Sequence, residues 1–261
     1  AKGNVGSEVF AHPDHLTVTE AMACARRLAP YRVLTGSGDE VQIQTEVSTR
    51  WSDIVGIGDP GLLNPEVVWR NRVGRDRLRV PIGIAVDGTP MELDIKEAAE
   101  NGMGPHGLCI GATGSGKSEF LRTLTLGMIA THSPDALNLV LVDFKGVATF
   151  LGLDRLPHTS AIITNLAEES TLVERMHDAI SGELNRRQEV LRASGNYANV
   201  HDYNKARADN PDLEPLPALL IVLDEFSELL AQHPDFADLF VAVGRLGRSL
   251  HIHLLLASQR L

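Results

Sequence analysis

Three glycines within six residues, Gly111, Gly114 and Gly116, run directly into Lys117 and Ser118. The stretch from Gly111 to Ser118, GATGSGKS, satisfies the spacing G-x-x-x-x-G-K-[ST]. Glycine tolerates torsions that a Cβ forbids, so such a loop can turn successive backbone N–H groups inward toward one anion. A helix beginning at the loop adds the positive end of its dipole. In this reading Lys117 reaches the β- and γ-phosphates of a nucleotide, and the Ser118 hydroxyl coordinates Mg²⁺. The candidate nucleotide-binding set is Gly111, Ala112, Thr113, Gly114, Ser115, Gly116, Lys117, Ser118 and Glu119. Lysine is scarce in the chain, with only 5 among 24 basic residues, so one placed inside this pattern is not incidental.

A second site must supply the metal ligand and the base. In ALLIVLDEF, from Ala218 to Phe226, six apolar residues precede Asp224 and Glu225. Ligands of open α/β sheets bind at the carboxyl ends of strands, which sets this acidic pair beside the loop. Asp224 then holds Mg²⁺ through its water shell, and Glu225 orients and activates the attacking water. An acidic pair at a strand end also occurs as a solvated edge, and it is the apolar strand and the upstream loop that favour chemistry here.

Three further features fit a hydrolytic site. Gln259, in Ser258-Gln259-Arg260, follows the last apolar run and can bond the γ-phosphate or the lytic water. Arg245 and Arg248 lie in VGRLGRSLHIH, where either can complete a neighbouring subunit's site or simply form a surface ion pair. Asp143-Phe144-Lys145 ends another apolar run, which places Lys145 at the same edge, as a site residue or as a strand-end charge. His251 and His253 share one strand face without a third ligand, so they do not read as a metal site. His106 reads as a packed or interface residue.

These residues need a scaffold. After Gly102, short apolar runs alternate with helical patterns: strands at Leu108 to Ile110, Leu139 to Val142, Ala218 to Leu223 and Ile252 to Ala257, with helices at Gly116 to Ile129, Glu168 to Ala193 and from Phe236. That alternation predicts an α/β fold, a mostly parallel sheet with helices on both faces. In the longest helix, Val173, Met176, Ile180, Leu184 and Leu191 recur on one face. Asp87-Gly88 between two apolar runs predicts a hairpin. An open sheet stopping just after Ile252 to Ala257 would leave that strand with little cover, so the C-terminal part of the core is expected to be missing.

The first 75 residues read differently. They offer one helical patch from Thr17 to Ala29, a Gly/Ser joint from Thr35 to Glu40, and segments punctuated by proline and glycine around Trp51 and Trp69. Residues 1–75 are therefore expected to be a connector or the tail of a preceding domain, and residues 76–261 the catalytic domain. The net charge of −10 argues against a broad nucleic-acid or anionic-lipid footprint. Two cysteines, Cys24 and Cys109, do not make a disulfide framework, and a reducing cytosolic setting is the default. No apolar run approaches the roughly 18 to 20 residues that span a bilayer.

Several blocks in order resemble the FtsK/SpoIIIE class of RecA-like motor ATPases: PHGLCIGATGSGKS from Pro105, ELNRRQ with Glu183, Arg186 and Arg187, then Gly195, Asn199, Tyr203 and Asn204, LPALLIVLDEF from Leu216, and GRSLHIHLLLASQR from Gly247. Within that class, the stretch from Leu141 to Leu166 and DEFSELLAQHPDFADLFVAVGRLGRSL are similar to the EccC family, the motors of type VII (ESX) secretion, around the first of its tandem ATPase domains. The similarity runs from about Ile54, with Val147 and His251 standing where that family commonly has glycine.

The resemblance implies a RecA-like P-loop core that uses ATP and Mg²⁺, with Lys117, Ser118, Asp224 and Glu225 at nucleotide and metal positions, Gln259 as sensor and Arg248 preferred as arginine finger. It implies an oligomer, hexameric when active, at the cytoplasmic face of a bacterial membrane, with an anchor upstream and further ATPase domains downstream. The implied partners are other membrane components of the ESX complex and secreted helical-hairpin proteins. Two other readings remain: a double-stranded DNA translocase or conjugative coupling protein, and a nucleotide-gated assembly module that seldom hydrolyses.

Overall fold

In a computed structural model the structure describes residues 50–260, apart from 71, 73, 145–147 and 165–169, together with Asn4, Val5, Glu8, Val9 and Thr17. Cys24, Lys145, Val147, the joint at 35–40 and the helical patch beyond Thr17 therefore lie outside the described residues. The chain divides into two compact units, 1–46 and 47–261. Within the first, β1 (Asn4–Val5) and β2 (Glu8–Val9) pair antiparallel.

The second unit is built on strands β5 (His106–Ile110), β6 (Leu137–Asp143), β7 (Thr159–Thr164), β8 (Ala218–Asp224) and β9 (Ile252–Ser258). They form one sheet in the order β5-β9-β8-β6-β7, with every neighbouring pair parallel. The central strand β8 is buried at all seven positions and shows why the sheet needs cover on both sides. Its side chains alternate with the two-residue period of a strand. Leu219, Ile221 and Leu223 enter one apolar cluster, and Ala218, Leu220 and Val222 the other.

On the first face lie α4 (Ser170–Ala193), α5 (Val200–Arg207), α6 (Phe226–Gln232) and α7 (Phe236–Leu250). The face of α4 read from spacing is the buried one: Val173, Met176, Ile180, Leu184 and Leu191 are each at most 5% exposed. Arg187 on the same helix is fully buried, bonding Glu183 Oε1 at 2.7 Å and the Leu250 carbonyl at 2.7 Å. It thus satisfies a C-terminal carbonyl of α7 that would otherwise be orphaned. Burial pulls its pKa down, and the Glu183 carboxylate opposes that fall.

The second face is covered by α3 (Lys117–Thr131) and by a hairpin of β3 (Arg79–Ile84) and β4 (Pro90–Asp94). Its turn falls at Asp87-Gly88, where Gly88 has φ 83° and the Asp87 carboxylate accepts from the Thr89 amide at 3.0 Å. The Leu78 amide donates to His132 Nε2 at 2.8 Å, which ties the hairpin to the end of α3. Buried Lys96 holds it from the other side, donating to the carbonyls of Arg75 and Arg77 and to Asp94. Two short helices, α1 (Trp51–Val55) and α2 (Pro65–Arg70), pack on β3 and α3 respectively.

The alternation of strands and helices predicted from the sequence is the one observed, with three additions. Strand β7 lies at the sheet edge, and its Thr and Ser residues give it no continuous apolar signal. Helix α5 starts at an Asn199 cap, whose side chain accepts the Asp202 amide at 2.7 Å. Helix α6 starts directly after Glu225 and separates β8 from α7.

Candidate nucleotide site

Because all five strands run parallel, the loops after β5, β6, β8 and β9 emerge at one edge of the sheet. The glycine-rich loop leaves β5 there, anchored by the Gly111 amide on the Ser258 carbonyl at 3.1 Å. It turns back on itself through Ser115 N–H to Ala112 O at 3.0 Å, then enters α3. Gly114 at φ 79° and Gly116 at φ 89° occupy the left-handed region, and a Cβ added to either meets no atom within 4 Å. Backbone torsion, not crowding, requires glycine at both. Gly111 differs: its Cβ would lie 2.4 Å from Ser115 Oγ but 3.5 Å from Ser115 Cβ, so a side chain here would displace only the serine hydroxyl.

The loop borders a cavity of about 430 Å³, lined also by Glu119, Asp143, Asp224, Glu225 and Gln259. From the candidate binding set, Ala112, Thr113, Gly114, Gly116, Lys117, Ser118 and Glu119 line it, while Gly111 and Ser115 face one another. Asp143, whose segment Asp143-Phe144-Lys145 the sequence places at this edge either as part of the site or as a strand-end charge pair, lines the same cavity and sits beside Asp224 in the β6–β8 register. Its place at a strand end was legible in the sequence, and its pairing with Asp224 comes from the register of two parallel strands, which a single sequence does not reveal.

Lys117 Nζ forms an ion pair with Asp224 Oδ1 and lies 3.3 Å from Glu225 Oε1. Burial disfavours this ammonium, but the two carboxylates outweigh it and raise its pKa above the ordinary lysine value. Asp224 and Glu225 are 4% and 5% exposed, and the lysine offsets their charge in a poorly hydrated place. Glu225 adopts φ 62° and ψ 41°, a left-handed conformation uncommon for a residue with a Cβ. Its amide is held by Asp224 Oδ1 at 3.0 Å. Strain of this kind persists only where the surroundings over-determine it, and here it aims a buried carboxylate between the end of β8 and the start of α6.

Gln259 completes the group. Its Nε2 donates to Glu225 Oε1 at 2.9 Å, and its Oε1 accepts from the Thr113 hydroxyl at 3.1 Å. The two bonds together fix which way the amide points. Ser118 and Asp224 offer hard oxygen donors to the cavity, and no group of three or more His, Cys, Asp or Glu among the described residues could hold a metal ion unaided. That donor set fits magnesium, which takes one or two protein ligands and completes its shell with water and phosphate.

Arg248 is not brought into this cavity. It lies near the C-terminal end of α7, before β9 begins, whereas Gln259 follows the far end of β9, roughly 20 Å along the strand. Its guanidinium pairs with Glu97, and its side chain is 64% exposed. Arg245 is exposed too, with no ion pair among the described residues. Neither arginine lines the cavity of its own chain. The histidines are at that opposite end. His251 is not on a strand but caps α7 at φ 52°, the conformation for which glycine is common. His253 Nδ1 bonds the Pro105 carbonyl at 3.1 Å, and His106 Nδ1 accepts from the Leu254 amide at 3.2 Å.

ESX secretion system protein EccC of Thermomonospora curvata is 59% identical over 263 residues, matching 100% of this chain and 20% of the relative. ESX-4 secretion system protein EccC4 of Mycobacterium tuberculosis is 59% identical over 252 residues, matching 97% of this chain and 20% of its own length. The chain thus spans about a fifth of the length of these relatives. Among solved structures, the cytoplasmic domain of the Thermomonospora curvata Type VII Secretion ATPase EccC superposes with a TM-score of 0.78 at 66% identity, over 81% of this chain and 25% of that one. The FtsK/SpoIIIE family model matches residues 65–261, and the chain belongs to that family.

Proposed function

We propose that the chain binds ATP with Mg²⁺ and hydrolyses it to drive protein export by a type VII (ESX) secretion machine. The observation that carries the proposal is the meeting of Lys117, Asp224, Glu225 and Gln259 at the glycine-rich loop, within one cavity. In the proposed reaction the loop amides and Lys117 hold the β- and γ-phosphates. Glu225 accepts a proton from the water that attacks the γ-phosphorus, and the bridging oxygen leaves with ADP. Magnesium, held from Ser118 and Asp224, supplies charge neutralisation on the phosphate oxygens. Gln259, already bonded to the base, orients the water.

Arg248 acts in trans in this reading, its exposure leaving it available to a neighbouring subunit's site, with Arg245 the alternative. The active form is then an oligomer, proposed to be a hexamer, at the cytoplasmic face of the bacterial membrane. No helix of the described residues is long and apolar enough to cross a membrane. Other ESX membrane components and secreted helical-hairpin proteins are the proposed partners. Residues 76–261 are the proposed ATPase domain and 1–75 a connector, whose part from Val47 belongs to the same compact unit as the sheet.

The relatives named ESX secretion proteins and the net charge of −10 favour this over DNA translocation. Fluorescent-nucleotide titration tests the binding site, with Lys117→Ala expected to abolish binding and equal affinity in both proteins refuting it. Phosphate release stimulated by duplex DNA, with a steep salt dependence, would favour the translocase instead. Nucleotide binding without any turnover by the assembled protein would favour a gated assembly module.

A further inference from the structure

Ser258 is the last residue of β9 and is fully buried, and three segments of the site meet on it. Its carbonyl accepts the amide of Gly111, the first glycine of the phosphate loop, at 3.1 Å. Its hydroxyl lies 2.6 Å from Ser227 Oγ, on the first turn of α6 and two residues beyond Glu225. The same hydroxyl donates to the Arg260 carbonyl at 2.8 Å, across Gln259.

The hydroxyl protons set the direction of these bonds. A serine hydroxyl has one proton and two lone pairs. The Ser258 proton is used on Arg260, so Ser227 must donate to Ser258. The sequence Ser227 to Ser258 to Arg260 then runs one way, and the Arg260 amide, 3.4 Å from Ser258 Oγ, closes a small loop around Gln259. The element that carries the base and the loop that carries the sensor are joined by this pair of hydroxyls beneath their side-chain contact.

We propose that Ser227 and Ser258 are positioning residues for hydrolysis: their hydroxyl chain sets the separation of Glu225 and Gln259, and so the place of the attacking water. The inference rests on the hydrolytic reading of the site. Neither hydroxyl touches the nucleotide in this account, so their loss acts on the chemical step and leaves nucleotide affinity alone. A displacement of about 1 Å at a reacting centre costs up to roughly 10²-fold in rate.

The test uses Ser227→Ala, Ser258→Ala and Ser227→Thr in the full chain, with ATP. Both alanine variants are expected to lose at least about fivefold in kcat, with the nucleotide dissociation constant unchanged within about twofold, since only transition-state positioning is removed. Ser227→Thr keeps the hydroxyl and is expected to restore the rate. In crystal structures of the alanine variants, Gln259 Nε2 should leave Glu225 Oε1, opening beyond the ~3.5 Å limit of a hydrogen bond. Wild-type kcat in both alanine variants, an equal loss of nucleotide binding, or an intact Gln259–Glu225 bond in those crystals would each overturn the proposal. A wild-type protein that binds ATP and releases no phosphate defeats the hydrolytic reading instead, and the separation seen in the crystals then decides the positioning role.

Discussion

Gln259 and Glu225 are joined by one hydrogen bond, from Nε2 to Oε1 at 2.9 Å, and Lys117 Nζ lies 3.3 Å from the same oxygen. Residues from the phosphate loop, the end of β8 and the end of β9 thus converge on a single carboxylate.

The loop at Gly111 offers a steric test. Gly111→Ala places a Cβ 2.4 Å from Ser115 Oγ, while Ser115 Cβ stays 3.5 Å off. Gly111→Ala is expected to weaken ATP binding by about two- to tenfold, the cost of moving the Ser115 hydroxyl from its rotamer, and adding Ser115→Ala should recover most of it. A double-mutant cycle by nucleotide titration measures the coupling. Additive effects would mean that the glycine serves some other need.

The left-handed torsion at Glu225 predicts a stability difference between two variants that both lack the carboxylate. Glu225→Gly removes the Cβ penalty and Glu225→Ala keeps it, so glycine should be the more stable by about 1 kcal/mol in urea unfolding. Equal stabilities would show that φ 62° carries no strain.

An arginine acting in trans predicts complementation. Arg248→Ala keeps its own base and Glu225→Gln keeps its own arginine, so each oligomer alone is expected to be nearly inactive. A mixed oligomer regains turnover wherever an Arg248→Ala site faces a Glu225→Gln subunit. Monomer stability should change by less than about 0.5 kcal/mol in Arg248→Ala, because its ion pair with Glu97 is exposed. If Arg245→Ala complements and Arg248→Ala does not, the finger is Arg245.

Acid should destabilise the fold in two windows. Burial holds His132 down to about 4 and His253 down to about 3, against an ordinary 6.5. The unfolded chain binds these protons first, so their contribution is complete above pH 6.5 and is lost as pH falls toward 4 and 3. Glu100, facing His251 and paired with Arg77, is lowered to about 2 from 4.5, which adds a loss below pH 4.5. His253→Asn keeps a donor for the Pro105 carbonyl and cannot titrate. Urea titrations from pH 7 to 4 should show a shallower fall in stability for that variant, and a parallel fall would refute the assignment.

Much of this was legible in the sequence because the signals are local. The run from Cys109 to Ser118 contains strand end, turn and helix start together, and the six apolar residues before Asp224 describe a central strand without reference to any other part of the chain. The glycine expected at position 251 has its counterpart in the left-handed cap that His251 adopts. What stayed hidden depends on pairing. β7 is an edge strand, half polar, and its neighbour β6 is what makes it a strand. Asp143 enters the cavity through a register, Arg248 is tied to Glu97 across 151 residues, and the Ser227–Ser258 contact joins two residues that look unremarkable in their own segments.

The central claim is that Glu225 is the base of an ATP-hydrolysing site built on the Lys117 loop. The most direct measurement is phosphate release from saturating Mg·ATP by the assembled full chain, beside nucleotide affinity, for the wild type and Glu225→Gln. The account predicts unchanged affinity and a rate lower by about 10²- to 10⁴-fold in the variant. A Glu225→Gln protein that releases phosphate at the wild-type rate would contradict it.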